Sequence, residues 1–177
     1  MNFKIEPIEQ YKDLRSAFID KFICQASYDY YEHIDRVTFQ NNVPYYTGFL
    51  WEFFYHNQSN KTNSVLITEE EGIQILDTKD SVLFMFDYFK YSNEWQHPIL
   101  EVFNRDDWQH IIYRAQSKQL SQLIWNSWNI KEDELNRTLH GPIALPDCVY
   151  VFDESLTWHL TFTCENIGQE RICFKSE

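Results

Sequence analysis

Glycine and proline are scarce in this chain. Its 177 residues include 4 Gly and 5 Pro, less than half of the roughly 12% the two supply in average proteins. So few glycines suit a glycine-cradled nucleotide site badly, because there bare backbone must approach phosphate. Neither GxxxxGK(S/T) nor GxSxG occurs, so no phosphate loop or nucleophile elbow is written in the chain. HExxH is missing, no two histidines stand four apart, and none of Cys24, Cys148, Cys164 and Cys173 forms a CxxC pair. Basic residues are also few. Lys and Arg number 15 against 27 Asp and Glu, a formal charge of −12. That balance excludes nucleic-acid binding driven by counterion release. The longest strongly apolar stretches, Gly48–Trp51 and Val82–Phe86, fall far short of the roughly 20 residues of a membrane-spanning helix. The first residues, MNFKIEPIEQYKDLR, lack the apolar core of a secretory leader. A cytoplasmic protein with reduced thiols is therefore expected.

Aromatics are abundant at 18%, and apolar residues make up 44%. That composition predicts a packed core and excludes a disordered acidic tail. The length suits one domain that needs no disulfide or metal staple.

Residues 7–27 read as a helix, with Pro7 in the first turn and Ile8, Tyr11, Leu14, Phe18 and Phe22 on one stripe. Asn41-Asn-Val-Pro44 is a break. The aromatic segment 46–56 reads as a buried helix, with a strand as its rival, and NQSNKTNS at 57–64 as a polar loop. Thr68-Glu-Glu-Glu71 has capping-box spacing before a short helix through Leu76. Residues 82–89 read as a central strand with Pro98–Phe103 as its hairpin neighbour. Helices are expected from a cap at Asn104 or Asp106 through Ala115, within 117–129, and over 131–139. Cys148–Phe152 and Thr157–Cys164 predict a β-hairpin, with Arg171–Lys175 as a further strand. In its second strand Trp158, Leu160, Phe162 and Cys164 alternate with Thr157, His159, Thr161 and Thr163, the pattern of a half-buried strand. Together these predict a single α+β domain over 1–177, helical in 1–60 and sheet-containing in 61–177. Its sheet is expected to be antiparallel or mixed, with about five strands packed against several helices.

Few side chains suggest chemistry. Cys164 shares the apolar face of its strand, where a thiol is inert. His159 and Cys164 lie on opposite faces by parity, so they do not converge on a metal with Cys148 and Cys173. No metal or cofactor is expected. Asp87, inside VLFMFDYF, is the carboxylate best placed for a perturbed pKa. Its plainer reading is a strand-end or edge-facing residue, or one tied to an Arg or a backbone amide. Asp106 and Asp107 precede a helix, and Glu69, Glu70 and Glu71 fill a first turn, where capping and the helix dipole favour acids.

The segment Tyr28-Asp-Tyr-Tyr-Glu-His-Ile-Asp35 is the most suggestive. Tyr28, Tyr30 and Tyr31 offer large contact area with polar tips, and Asp29, Glu32 and Asp35 offer charge. Its plainer reading is a helix end with the rings in the core and the acids in water. As a surface it suits a basic protein partner, and Glu69, Glu70, Asp106 and Asp107 extend the acidic set.

Val149-Tyr-Val-Phe-Asp153, Leu156-Thr-Trp158 and Thr163-Cys-Glu165 resemble the terminal hairpin of a bacterial family of small proteins of unknown function. Gly48-Phe-Leu-Trp51 is similar to that family's Gly-aromatic-Leu-Trp segment. The family implies a fold and no activity. In type, the chain resembles immunity proteins of polymorphic or contact-dependent toxin systems, which are small, often acidic and without catalytic motifs. That resemblance implies a non-enzymatic protein whose partner is a cognate toxin domain, such as a nuclease, with no nucleic acid or membrane bound directly. The rival expectations are a small-molecule or peptide-binding domain with an aromatic cleft, an enzyme using Asp87, His140 or His159, and a structural subunit.

Overall fold

A capped helix, a hairpin and several apolar strands assemble around one large sheet. The computed structural model describes residues 4–25, 37–40, 43–46, 48–87, 107–108, 110–129, 148–167 and 170–176. In chain order the elements are β1 (Ile5–Pro7), α1 (Tyr11–Phe22), β2 (Val37–Gln40), β3 (Val43–Tyr46), a 3-10 turn (Leu50–Phe53), β4 (Ser64–Ile67), α2 (Glu69–Asp77), β5 (Ser81–Phe86), β6 (Tyr113–Gln116), α3 (Ser117–Asn129), β7 (Val149–Phe152), β8 (His159–Ile167) and β9 (Glu170–Ser176). Seven strands form an antiparallel sheet in the order β1-β6-β5-β7-β8-β9-β4, and β2 and β3 pair separately. The α+β class is as expected, and the sheet is larger than the five strands anticipated.

Both faces of the sheet are covered. On one, Leu76 of α2 and Leu120, Leu123 and Ile124 of α3 pack on Val82, Phe84, Val151 and Phe162. On the other, Phe18 and Phe22 of α1 and Leu50 and Phe54 around the 3-10 turn pack on Leu83, Met85, Tyr150 and Phe152. This three-layer arrangement explains why β5 and β7 are nearly continuous apolar runs. Every residue from Val82 to Phe86 and from Val149 to Phe152 is buried.

Local signals were realised where the chain contacts itself nearby. Thr68 Oγ1 accepts the Glu71 N–H at 3.1 Å, and Glu71 Oε2 accepts the Thr68 N–H at 2.9 Å, the reciprocal bonds of a capping box. Gly72 lets α2 lie close to the sheet, because a Cβ there would stand 3.0 Å from Phe162 Cε1. In the 57–64 loop Asn57 and Asn60 have positive φ, which Asn tolerates better than most residues.

Long-range pairing overrode other expectations. Pro7 ends strand β1 at the sheet edge, where a missing N–H is tolerated, and α1 begins only at Tyr11. The 1–60 part, expected to be helical, thus contains β1, β2 and β3 as well as α1. The aromatic 46–56 segment makes a single 3-10 turn, and Phe54 bridges Ile23. The helix expected through Ala115 is instead strand β6, held by β1 and β5 on its two sides. Tyr113 and Ala115 alternate inward there, and helix α3 starts directly after, at Ser117. Over 159–163 β8 is not half-buried, because His159, Thr161 and Thr163 are buried as well as Leu160 and Phe162, with Phe18 and Phe22 of α1 against His159. The expectations over 28–36, 98–103 and 131–139 lie outside the described residues.

Candidate functional site

Three polar groupings are built into the core, and each ties elements together. Asp87 follows β5 and points with Leu83 and Met85 toward the α1 layer. Its Oδ1 accepts the Leu50 N–H at 3.1 Å, and its Oδ2 accepts the Tyr150 hydroxyl at 2.5 Å. The same hydroxyl oxygen accepts the Trp51 N–H at 3.1 Å. Asp87 is thus held by a backbone amide, one of the roles read for it from sequence. It receives the first N–H of the 3-10 turn, where main-chain donors lack partners in the turn itself. Nearby, burial raises the Glu52 carboxyl above the ordinary carboxylate range. The charges of Asp87 and Glu165 push the same way, against hydrogen bonds from the Phe49 and Gly48 backbone.

His159 lies between Phe18, Phe22 and Phe54, with the Phe22 and Phe54 rings 4.6 Å away. Its Nε2 is 2.9 Å from Ser64 Oγ, and its Nδ1 is 3.3 Å from Thr161 Oγ1. A Ser–His contact invites a nucleophile reading. Here Thr161 stands where a triad would place an orienting carboxylate, and Ser64, Thr161 and His159 are all buried. Burial lowers the imidazole pKa to about 3, so the ring is neutral and links β4 to β8.

Arg171 and Glu69 form the third grouping. Arg171 Nη1 stands 3.4 Å from Glu69 Oε1, with side-chain exposures of 3% and 13%. Arg171 Nε donates to the Thr163 carbonyl. The pair clamps the start of α2 to β8 and β9. Beside it, burial pushes the Cys173 thiol up to about 12 despite the lowering charge of Arg171.

The surface offers a different arrangement at the β4 side of the sheet. A cavity of about 200 Å³ is lined by Leu66, Ile67, Thr68, Glu71, Ile167, Glu170, Arg171 and Ile172. A neighbouring one of about 320 Å³ shares Ile67 and Glu71 and continues along α2 to Gln74, Ile75, Thr78 and Lys175. Together they make a groove lined by apolar side chains and by the carboxylates of Glu71 and Glu170, with the cations Arg171 and Lys175 also in its wall.

The residues expected to bind a partner are distributed unevenly. Glu70 is exposed and accepts from Gln74, while Glu69 turns inward to Arg171. Asp107 is half-buried in a turn whose carbonyl accepts the His110 N–H. Tyr28, Asp29, Tyr30, Tyr31, Glu32, Asp35 and Asp106 lie outside the described residues. Leu66, Ile167 and Glu170, which line the groove, were not singled out from sequence, and Glu71 was read there as a capping and first-turn acid. The run Ser64–Ile67 directly before a capping box was the available signal for a short strand with an edge. Among the described residues, no helix is long and apolar enough to cross a membrane. No family model matches the chain, nor does any curated protein or solved structure.

Proposed function

We propose that this chain is an immunity-type protein that binds a cognate bacterial toxin domain and covers a basic surface of it, a nuclease being one such toxin. The observation that carries the reading is the groove beside β4. It combines exposed apolar side chains, Leu66 and Ile167, with the carboxylates of Glu71 and Glu170 on a chain of net charge −12. The apolar side chains would supply the buried centre of an interface and the acids its polar rim. A field of one sign would speed capture of a basic partner, and that acceleration falls as salt rises. The polar groups of the core fit this reading, since Asp87, His159 and Arg171 are used to hold the scaffold.

The test is co-expression with the toxin domain encoded immediately upstream, followed by purification of the pair. Protection of the cells and a stable complex whose association slows with salt are expected. A toxin that remains active and unbound would overturn the proposal.

A further inference from the structure

Among the described residues, β4 is the outermost strand on its side of the sheet. It sets Ser64, Val65, Leu66 and Ile67 opposite Ser176, Lys175, Phe174 and Cys173 of β9. In such a pair, residues alternate between exchanging main-chain hydrogen bonds with the partner and turning those groups outward. Ser64 belongs to the outward set, because its N–H donates to the Tyr55 carbonyl at 2.8 Å and its own carbonyl accepts from His56 Nδ1 at 2.8 Å. Leu66, two residues on, belongs to the same set. Thr68 ends the run, with its N–H donated to Glu71 and its carbonyl accepting the Gly72 N–H. The edge is therefore covered at Ser64, closed at Thr68, and turned to solvent at Leu66.

The side chains agree with the backbone. The exposed large apolar residues among the described ones are Leu66 at 55%, Trp125 at 47% and Ile167 at 63%. Leu66 and Ile167 line the same cavity. Sheet edges are ordinarily blunted by charge, proline or a bulge. The opposite edge strand, β1, contains Glu6 and Pro7, whereas β4 reads Ser-Val-Leu-Ile.

We infer that the β4 edge at Leu66 accepts an extended segment of a basic partner protein as an added strand, one in which apolar residues alternate with Lys or Arg. One residue of that segment exchanges both main-chain hydrogen bonds with Leu66, the mode of strand addition. Its apolar side chain covers Leu66, and the basic residues beside it are drawn to the carboxylates of Glu71 and Glu170. The inference rests on the reading of this chain as a binder of a basic protein and names where and how it binds. A second copy is the wrong occupant, because it would bring the Glu71 and Glu170 rims of two −12 chains together.

The test uses the intact chain and a short capped peptide of alternating Val and Lys, with binding followed by fluorescence anisotropy and by the Leu66 amide resonance. The peptide is expected to bind and to shift that resonance. N-methylation of the amides on one edge of the peptide, or Glu170→Lys in the protein, is expected to weaken binding at least about tenfold, as is the exposed-site variant Leu66→Lys. Thermal melts confirm that both variants stay folded. A Val/Glu peptide is expected not to bind. Absence of binding by the Val/Lys peptide, binding indifferent to N-methylation, or a dimer of the free chain that Leu66→Lys dissolves would overturn the inference. Failure of the two proposals is distinguishable. A toxin neutralised equally well by wild type and Leu66→Lys removes the edge site and leaves the function. Peptide capture at Leu66 by a chain that neutralises no toxin removes the function and leaves the edge site.

Discussion

Tyr150 donates its hydroxyl to Asp87 at 2.5 Å while accepting the Trp51 N–H at 3.1 Å, so one phenol joins β7, the end of β5 and the 3-10 turn. Tyr150→Phe removes the donor to Asp87 and the acceptor for Trp51 together. It is expected to cost about 2–3 kcal/mol, since Asp87 loses the hydroxyl donor and the Trp51 N–H its acceptor. Asp87→Ala removes the acceptor of both the Tyr150 hydroxyl and the Leu50 N–H and is expected to cost at least as much. A double-mutant cycle in urea should show strong coupling between the two positions. Additive losses would mean that the bond is not formed.

His159 predicts an acid-sensitive fold. Its imidazole titrates near 3 when folded, against an ordinary 6.5. Between those values the unfolded chain binds the extra proton, so stability rises with pH across the window and is lost as pH falls through it. The slope from this one group reaches about 1.4 kcal/mol per pH unit. Urea midpoints of wild type and His159→Gln, compared from pH 4 to pH 8, should converge on the acid side, because the variant lacks this slope. Parallel pH profiles would contradict the assignment.

The Arg171–Glu69 pair predicts asymmetric costs. Arg171→Ala leaves a largely buried carboxylate facing no cation and frees the Thr163 carbonyl, an expected loss of about 3 kcal/mol. Glu69→Gln keeps a hydrogen-bond acceptor beside the guanidinium and is expected to cost less. Replacing both by apolar residues of similar volume should recover much of the loss, because neither charge then needs desolvation. Chemical denaturation of the three variants orders these outcomes. Equal losses for Arg171→Ala and Glu69→Gln would deny the pair its role.

Cys173 is expected to be inert in the native protein. The thiolate is the reactive form, and a pKa of about 12 leaves almost none of it at neutral pH. Iodoacetamide labelling mapped by mass spectrometry should modify half-buried Cys24 before Cys173. Labelling of Cys173 should appear only with denaturant. Modification of both at equal rates in buffer would overturn this.

Legibility followed the range of the interaction. The α2 cap was readable because Thr68 and Glu71 satisfy each other within one turn. Helix α3 was readable because Leu120, Leu123 and Ile124 form a stripe whatever they pack against. The β7–β8 hairpin was readable because Asp153 closes its own turn, accepting the Thr157 N–H at 2.6 Å. Residues 111–115 are ambiguous in sequence because Trp108, Ile111, Ile112 and Ala115 also fit a helical spacing. Pairing of β6 with β1 and β5 settled that ambiguity from far along the chain. Of the candidate site, the acidity of α2 was legible and its groove was not. An exposed Leu66 and an inward Glu69 look the same in one dimension as a buried Leu and a solvated Glu.

The sequence by itself determined the α+β class, the acid surplus, and the elements whose bonds close within a few residues. Only the tertiary structure decided that residues 159–163 of β8 are buried on both faces, that His159 is neutral, that Glu69 pairs with Arg171, and that β4 is the outermost of the described strands on its side. The physical reason is that periodicity and capping are local, whereas burial and charge state depend on which distant segment lies alongside. Among the described residues, strand order places Leu66 at an edge, and that order arises from chain segments far from residue 66.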